Sequence, residues 1–284
     1  MVSGGTTIQE IRAQIFGVAQ WVDPDATVDV VYAGRLDRPV RQVGVGWSCC
    51  SQNLEAAATD GCDLFISHEG LLHGPEWAPG MDSRETPWGR RRLAVLEASG
   101  MACMRFHDTW DNFPEHGIRA SWRRFLGLGD LIAERRYHYP GRTRFTARPS
   151  LALSRVPSQS LRTFATDLAT RCRVFPCFAG AIVQGDLTDE VTRVATGVGC
   201  HIPTLEMLEM GADVLVVTLD RALQETIRIP LSEMGANVVA VEHGVAEMPG
   251  MERMAAYLEE VFPEITCTFY CREPVAVTVM GNES

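Results

Sequence analysis

One set of segments in this chain is followed, in the same order, by a second set that resembles it, and a repeat of this kind leaves few folds open. "GRLDRPVRQVGV", from Gly34, is echoed 151 residues later by "GDLTDEVTRVAT", from Gly185. "GCDLFISHE", from Gly61, resembles "GADVLVVTLD", from Gly211, and "GMACMRFHD", from Gly100, resembles "GANVVAVEHG", from Gly235. Each unit has one grammar. A helical pattern ends in Gly, which tolerates the left-handed cap. A continuous apolar run follows, as suits a strand buried on both faces. Helices lie between: Gln52–Thr59, Arg91–Ser99 and Thr204–Met210 each lead into the next Gly. Strands alternating with helices predict an α/β fold of two similar halves.

The first half is expected over residues 1–125 and the second over 126–284, with the Pro/Arg-rich stretch 126–150 as an irregular connection. The chain opens on a helix: Thr7 with Glu10 is a capping-box pair, and Ile8, Ile11 and Ile15 share a face. Met251, Met254, Ala255, Leu258, Val261 and Phe262 make a helical core stripe near the end. The arginines Arg90–Arg92 read as a solvated helix start. Nine scattered cysteines without a Cys-x-x-Cys pair, and no signal-like leader, point to reduced thiols and a cytoplasmic setting. The adjacent Cys49 and Cys50 read as small buried hydrophobes. No apolar run approaches the roughly 20 residues of a membrane span. A net charge of −10 disfavours phosphate backbones, so nucleic acid is a poor partner.

The chemistry gathers where strands end. Leu64–Ile66 runs into Ser67-His68-Glu69, and Met104–Phe106 into His107-Asp108 with Asp111 four residues past His107. Val238–Val241 runs into Glu242-His243 with Glu247 four further on, and Val214–Val217 leads to Asp220. Open α/β sheets bind ligands outside the carboxyl ends of their strands. A metal cleft at those ends, between the halves, is therefore expected. Imidazole with carboxylate suits Zn²⁺, Mn²⁺ or Fe²⁺. The set His68, Glu69, His107, Asp111, His243 and Glu247 offers more ligands than one tetrahedral ion needs, which points to one or two ions. His73 and His116, in nearby loops, read as surface residues, and Asp220 as a cap or a supporting group. Asp108 and Glu242 are candidates for moving a proton.

At these residues the chain resembles the NIF-three-like proteins, a dinuclear-metal, hexamer-forming family often given the name GTP cyclohydrolase type 2. The likeness covers about residues 7–125 and 155–271. The family's Ser-His-His stands here as Ser67-His68-Glu69 and its His-Thr-Asn-Leu-Asp as His107-Asp108-Thr109-Trp110-Asp111. Its Gly-His-x-x-x-Glu stands as His243-Gly244-Val245-Ala246-Glu247 after Glu242. The resemblance implies that His68, Asp111, His243 and Glu247 are ligands, Glu247 bridging two ions, with His107 beside them. It also implies a toroidal hexamer with metal sites facing its interior. Glu69 replaces the family's second histidine, and the histidines after Thr-Gly-Asp are replaced by Arg221 and Ala222 following Thr218-Leu219-Asp220.

The function expected is water activation by metal, in a cyclohydrolase- or phosphoesterase-type hydrolase acting on a small molecule such as a nucleotide. The alternative is a non-catalytic metal-binding oligomer serving as scaffold or regulator. A plain nucleotide-binding domain is disfavoured: no Gly-x-Gly-x-x-Gly follows a strand, no P-loop occurs, and "GVGWSCC" lies largely within a strand.

Overall fold

The computed structural model describes residues 5–72, 83–137 and 148–273, with 276, 278 and 279. His73, His138 and the middle of the expected connection, 138–147, lie outside the described residues. The chain opens with α1 (Ile8–Val18), β1 (Val31–Ala33), β2 (Gln42–Gly46), α2 (Ser51–Thr59) and β3 (Leu64–Ser67). It continues with α3 (Pro87–Ser99), β4 (Ala102–Arg105), α4 (Ile118–Phe125), β5 (Leu131–Tyr137) and β6 (Arg148–Ser160). There follow α5 (Leu161–Cys172), β7 (Ile182–Gln184), β8 (Glu190–Thr196), α6 (Thr204–Glu209) and β9 (Val214–Thr218). The rest is α7 (Leu219–Ala222), α8 (Glu225–Glu233), β10 (Val238–Val241), α9 (His243–Val261) and β11 (Thr266–Tyr270).

Among the described residues two sheets form, and the repeat shows in their strand order. The first runs β1-β4-β3-β2-β11 and the second, from the matching edge, β7-β10-β9-β8-β6-β5. In each, a short first strand lies antiparallel to its neighbour, and three parallel strands follow. The sheets part company at the fifth place: β11 is parallel to β2, whereas β6 is antiparallel to β8. Both repeats start on a capped helix, with Thr7 accepting from the Glu10 amide at 3.2 Å and Ser160 from the Thr163 amide at 3.2 Å. Ile8, Ile11 and Ile15 are fully buried, as the periodicity predicts.

The recurring Gly-x-Asp has a physical cause. Gly61 and Gly211 take φ of +78° and +82° to turn the chain out of a helix. The Asp two residues on then accepts from two successive amides at the neighbouring strand. Asp63 accepts from the amides of Arg41 and Gln42 at 2.8 and 3.1 Å. Asp213 accepts from those of Thr192 and Arg193 at 2.9 and 2.8 Å. The glycines of "GVG" have a steric role. A Cβ on Gly44 or Gly46 would lie 2.8 or 2.9 Å from the Phe65 ring, which packs across β2.

Asp213 yields a pH-dependent prediction. Burial works against its charge, but hydrogen bonds from Arg193 and Thr192 outweigh that and hold the carboxyl at about 2. Its stabilisation is therefore present above 3.8, the ordinary value, and is lost as pH falls through about 2. Asp213→Asn is expected to cost about 1–3 kcal/mol at pH 7. In urea unfolding the gap from the parent should close between pH 4 and 2.

Packing divides the chain into two units that are not simple halves. One holds the described residues of Met1–Ile118 together with Gly250–Glu273; the other holds those of Arg119–Thr143 and Ala147–Pro249. The return of Gly250–Glu273 follows from β11, whose residues Thr266–Tyr270 pair in register with Gln42–Gly46 of β2. In the first unit Leu54, Phe65, Leu96, Met101 and Tyr270 share a core. In the second, Leu153, Met207, Leu215, Leu231 and Ala240 do.

The stretch 126–150 is not the irregular connection its composition suggests. Leu131–Tyr137 is a strand, paired antiparallel with β6. It is a sheet edge with most of its side chains exposed, so its charges Glu134, Arg135 and Arg136 carry no apolar alternation. All nine cysteines are free thiols, Cys49 buried and Cys50 partly so. Among the described residues, no helix is long and apolar enough to cross a membrane.

Candidate metal centre

In the first unit, β3 and β4 are parallel neighbours with Ser67 opposite Arg105, so both chains leave the sheet at one edge. The residues that follow are thereby brought together. The rings of His68 and His107 stack with centroids 4.4 Å apart. One donor atom from each of His68, His107 and Asp111 lies within 4.8 Å of the others. Asp111 reaches the rings because a helical turn follows β4: its amide donates to the His107 carbonyl at 2.9 Å. Trp110, fully buried, anchors that turn and donates from its indole to the Gly250 carbonyl at 2.8 Å.

His68 is fully buried, with Nδ1 3.2 Å from the Phe106 carbonyl and Nε2 3.5 Å from Asp111 Oδ1. A neutral imidazole has one N–H, so it cannot donate to both oxygens. With the proton on Nδ1, the Nε2 lone pair faces a carboxylate, an arrangement that a cation resolves. His107 Nδ1 lies 3.1 Å from Asp108 Oδ1 and 3.8 Å from Asp111 Oδ2. Burial opposes charge on this ring, but Asp111 and the Asp108 hydrogen bond overcome it and raise the ring to about 9. Asp108 is correspondingly lowered to about 2: burial again works the other way, and His107 with Thr27 and the Val28 amide outweighs it.

In the second unit, β9 and β10 are parallel neighbours with Thr218 opposite Val241. His243 opens α9, and one turn on is Glu247, which is 2% exposed. His243 Nε2 lies 2.9 Å from Glu247 Oε1, and Nδ1 2.9 Å from Asp220 Oδ2. Burial disfavours the charged ring, but Glu247 and Asp220 prevail and push it far above the usual imidazole range. His107 with Asp111 and His243 with Glu247 thus occupy corresponding places, each pair four residues apart just beyond β4 or β10.

The remaining expected site residues have further partners. Glu69 offers a carboxylate oxygen within 4.8 Å of a His68 ring nitrogen, and its Oε2 lies 3.2 Å from Arg105 Nη2. Asp108 uses Oδ2 to accept from Thr27 Oγ1 at 2.8 Å and from the Val28 amide at 3.3 Å. Glu242 accepts from the Ala179 amide at 3.3 Å, and Cys172 feels its charge. Asp220 joins His243 rather than acting only as a cap. His116 is half-buried, accepting at Nδ1 from Arg253 Nε at 2.9 Å.

Two supporting residues escaped sequence reasoning. Asp29, 1% exposed, takes the amides of His107, Asp108 and Thr109 at 2.7, 2.9 and 2.8 Å and the Thr109 hydroxyl at 2.6 Å. It clamps the loop that carries the ligands. Its only sequence signal is an acid before a short strand, which is common in turns. Arg105 ends β4 and donates from Nε to the His68 carbonyl at 2.7 Å. A charge closing an apolar strand is its one signal.

Residues 25–274 match the family model for Duf34/NIF3 (NGG1p interacting factor 3). Among solved structures, the chain is similar to protein SA1388 of Staphylococcus aureus, at 15% identity and TM-score 0.76, covering 97% of this chain and 99% of that one. It is similar to a Bacillus cereus protein related to NIF3, at 14% identity and TM-score 0.76, covering 97% and 99%. It is also similar to TTHA1606 from Thermus thermophilus, at 20% identity and TM-score 0.68, covering 96% and 100%. At these identities the likeness speaks for the fold alone. No curated protein matches the chain.

Proposed function

This chain belongs to the DUF34/NIF3 family, and from that premise and the chemistry of its strand-edge clusters we propose that it is a divalent-metal hydrolase. One observation carries the reading. His68, His107 and His243 each set Nδ1 against an oxygen, of Phe106, Asp108 and Asp220 respectively, at 3.2, 3.1 and 2.9 Å. Metal-ligating histidines are oriented in this way, with one ring nitrogen donating to a carbonyl or carboxylate and the other turned to the ion. The donor set of imidazole with Asp111 and Glu247 fits Zn²⁺, Mn²⁺ or Fe²⁺.

His68, His107 and Asp111 are proposed to bind an ion in the first unit, and His243 with Glu247 form an imidazole–carboxylate pair of the same chemistry in the second. The ion supplies Lewis acidity, lowering the pKa of a water and neutralising developing negative charge. Asp108 and Asp220 hold the protons at Nδ1 of their rings. With both its oxygens occupied, Asp108 acts through His107 and not as a free proton carrier. Glu242, bonded to the Ala179 amide, is given no role in the reaction. Substrates of the proposed class are small molecules with a hydrolysable amidine-like ring or phosphoester, nucleotides among them.

Protein loaded separately with Mn²⁺, Zn²⁺ and Fe²⁺ is expected to turn over a member of a panel of GTP, other nucleotides and phosphodiesters, and to lose that activity with chelator. If every loaded form is inert while the metal stays bound, the non-catalytic scaffold or regulator replaces this reading. Binding should also release protons. Without metal, His107 keeps its proton up to about 9 and His243 further still, so ion and proton compete for the same rings. Apparent affinity must weaken as pH falls from 9 to 6. Calorimetry in buffers of different ionisation enthalpy measures the release at pH 7; none would remove these rings from the ligand set.

A further inference from the structure

We propose that the His68 cluster of the first unit binds one divalent ion and not two, because the guanidinium of Arg105 already supplies a second fixed positive charge and pairs with Glu69. The inference rests on the metal-binding reading above and deepens it.

Arg105 closes β4, opposite Ser67 of β3, with its side chain 9% exposed. It is held at two points, with Nε donating to the His68 carbonyl at 2.7 Å and Nη2 to Glu69 Oε2 at 3.2 Å. Glu69 is fixed from its backbone as well: its amide donates to the Trp47 carbonyl at 2.8 Å, and its carbonyl accepts from Ser67 Oγ at 2.7 Å. A guanidinium keeps its charge at any working pH, and it matches carboxylate geometry. Next to His68 there is thus a permanent cation where a two-ion site needs lone pairs. A further dication beside it would be repelled at short range and poorly screened by water.

The remaining charges of this cluster agree. Asp108 is taken up by Thr27, the Val28 amide and His107. Asp111 faces the two rings, and one donor atom from each of His68, His107 and Asp111 lies within 4.8 Å of the others. Two imidazoles and one carboxylate are a ligand set for a single ion.

The test counts ions. Protein carrying His243→Ala, so that the count reads the first unit's cluster, is stripped with chelator, reloaded with excess Zn²⁺ or Mn²⁺ and desalted, and is expected to carry one ion per chain by inductively coupled plasma and native mass spectrometry. Two ions per chain overturn the inference and leave the metal-binding reading standing; none overturns that reading itself. Glu69→Gln keeps an acceptor for Arg105 and removes the charge a ligand would need. It is expected to retain one ion with affinity within about threefold of the parent, whereas a loss of about tenfold or more makes Glu69 a ligand and sinks the proposal. Glu69→His with Arg105→Met frees lone pairs and removes the guanidinium, and should admit a second Zn²⁺. A folded double variant that still takes one ion shows that the pair is not what excludes the second.

Discussion

His68→Ala loses its metal. The variant is expected to retain less than about a tenth of the parent's bound ion after desalting, since deleting a ligand costs at least the 10–100-fold attached to supporting partners. Glu247→Gln is expected to fall similarly. The reason lies in the tautomer. His68 has its Nδ1 on the Phe106 carbonyl and can offer only Nε2, so no other nitrogen replaces it. Elemental analysis alongside far-ultraviolet circular dichroism checks the outcome. Parent-like metal content in both folded variants would refute the ligand assignment. Glu247→Gln is preferred to alanine because Glu247 is buried and an amide conserves its volume.

Asp29→Ala is expected to be the most damaging change outside the ligands. Three backbone amides and the Thr109 hydroxyl converge on this one carboxylate. Truncation leaves these donors buried beside Asp108 without their acceptor, at a cost of about 3–5 kcal/mol. The effect should reach the metal too, because the amides of His107 and Asp108 belong to the loop that aims the His107 ring. A further loss of metal affinity of about 10–100-fold is expected where the variant stays folded. Chemical denaturation measures the first effect and competition with a fluorescent chelator the second. A stable Asp29→Ala protein with undiminished affinity would show that the loop holds itself.

What the residues disclose by themselves, and what they do not, follows from the range of each interaction. Gly61 and Gly211, the apolar runs behind them and the capping pair Thr7–Glu10 are decided within a few residues, and they stand where periodicity puts them. So do the strand exits at His68, His107 and His243. Parallel neighbours bring their ends to one sheet edge, and the polar residues there are conspicuous against the run before them. Partner choice is another matter. β11 joins β2 across more than two hundred residues, and β5 hides its pairing behind exposed charge. Neither leaves a local trace. That Glu69 also faces Arg105 has no sequence signal, because the two are brought together only by the pairing of β3 with β4. The bond from the Ala179 amide to the Glu242 carboxylate is equally silent in the sequence.

The closing strand also bears on how the protein is made. Because β11 is supplied by Thr266–Tyr270, the sheet of β1 to β4 lacks an edge until the whole of the second sheet has been synthesised. During translation β2 presents open amides and carbonyls, a template for mispairing. The later-made unit, whose strands β5 to β10 are contiguous in the chain, has its full sheet before that gap closes. Order of birth and order of completion are thus reversed, and a chain released before Thr266 would be stranded with its oldest part unfinished.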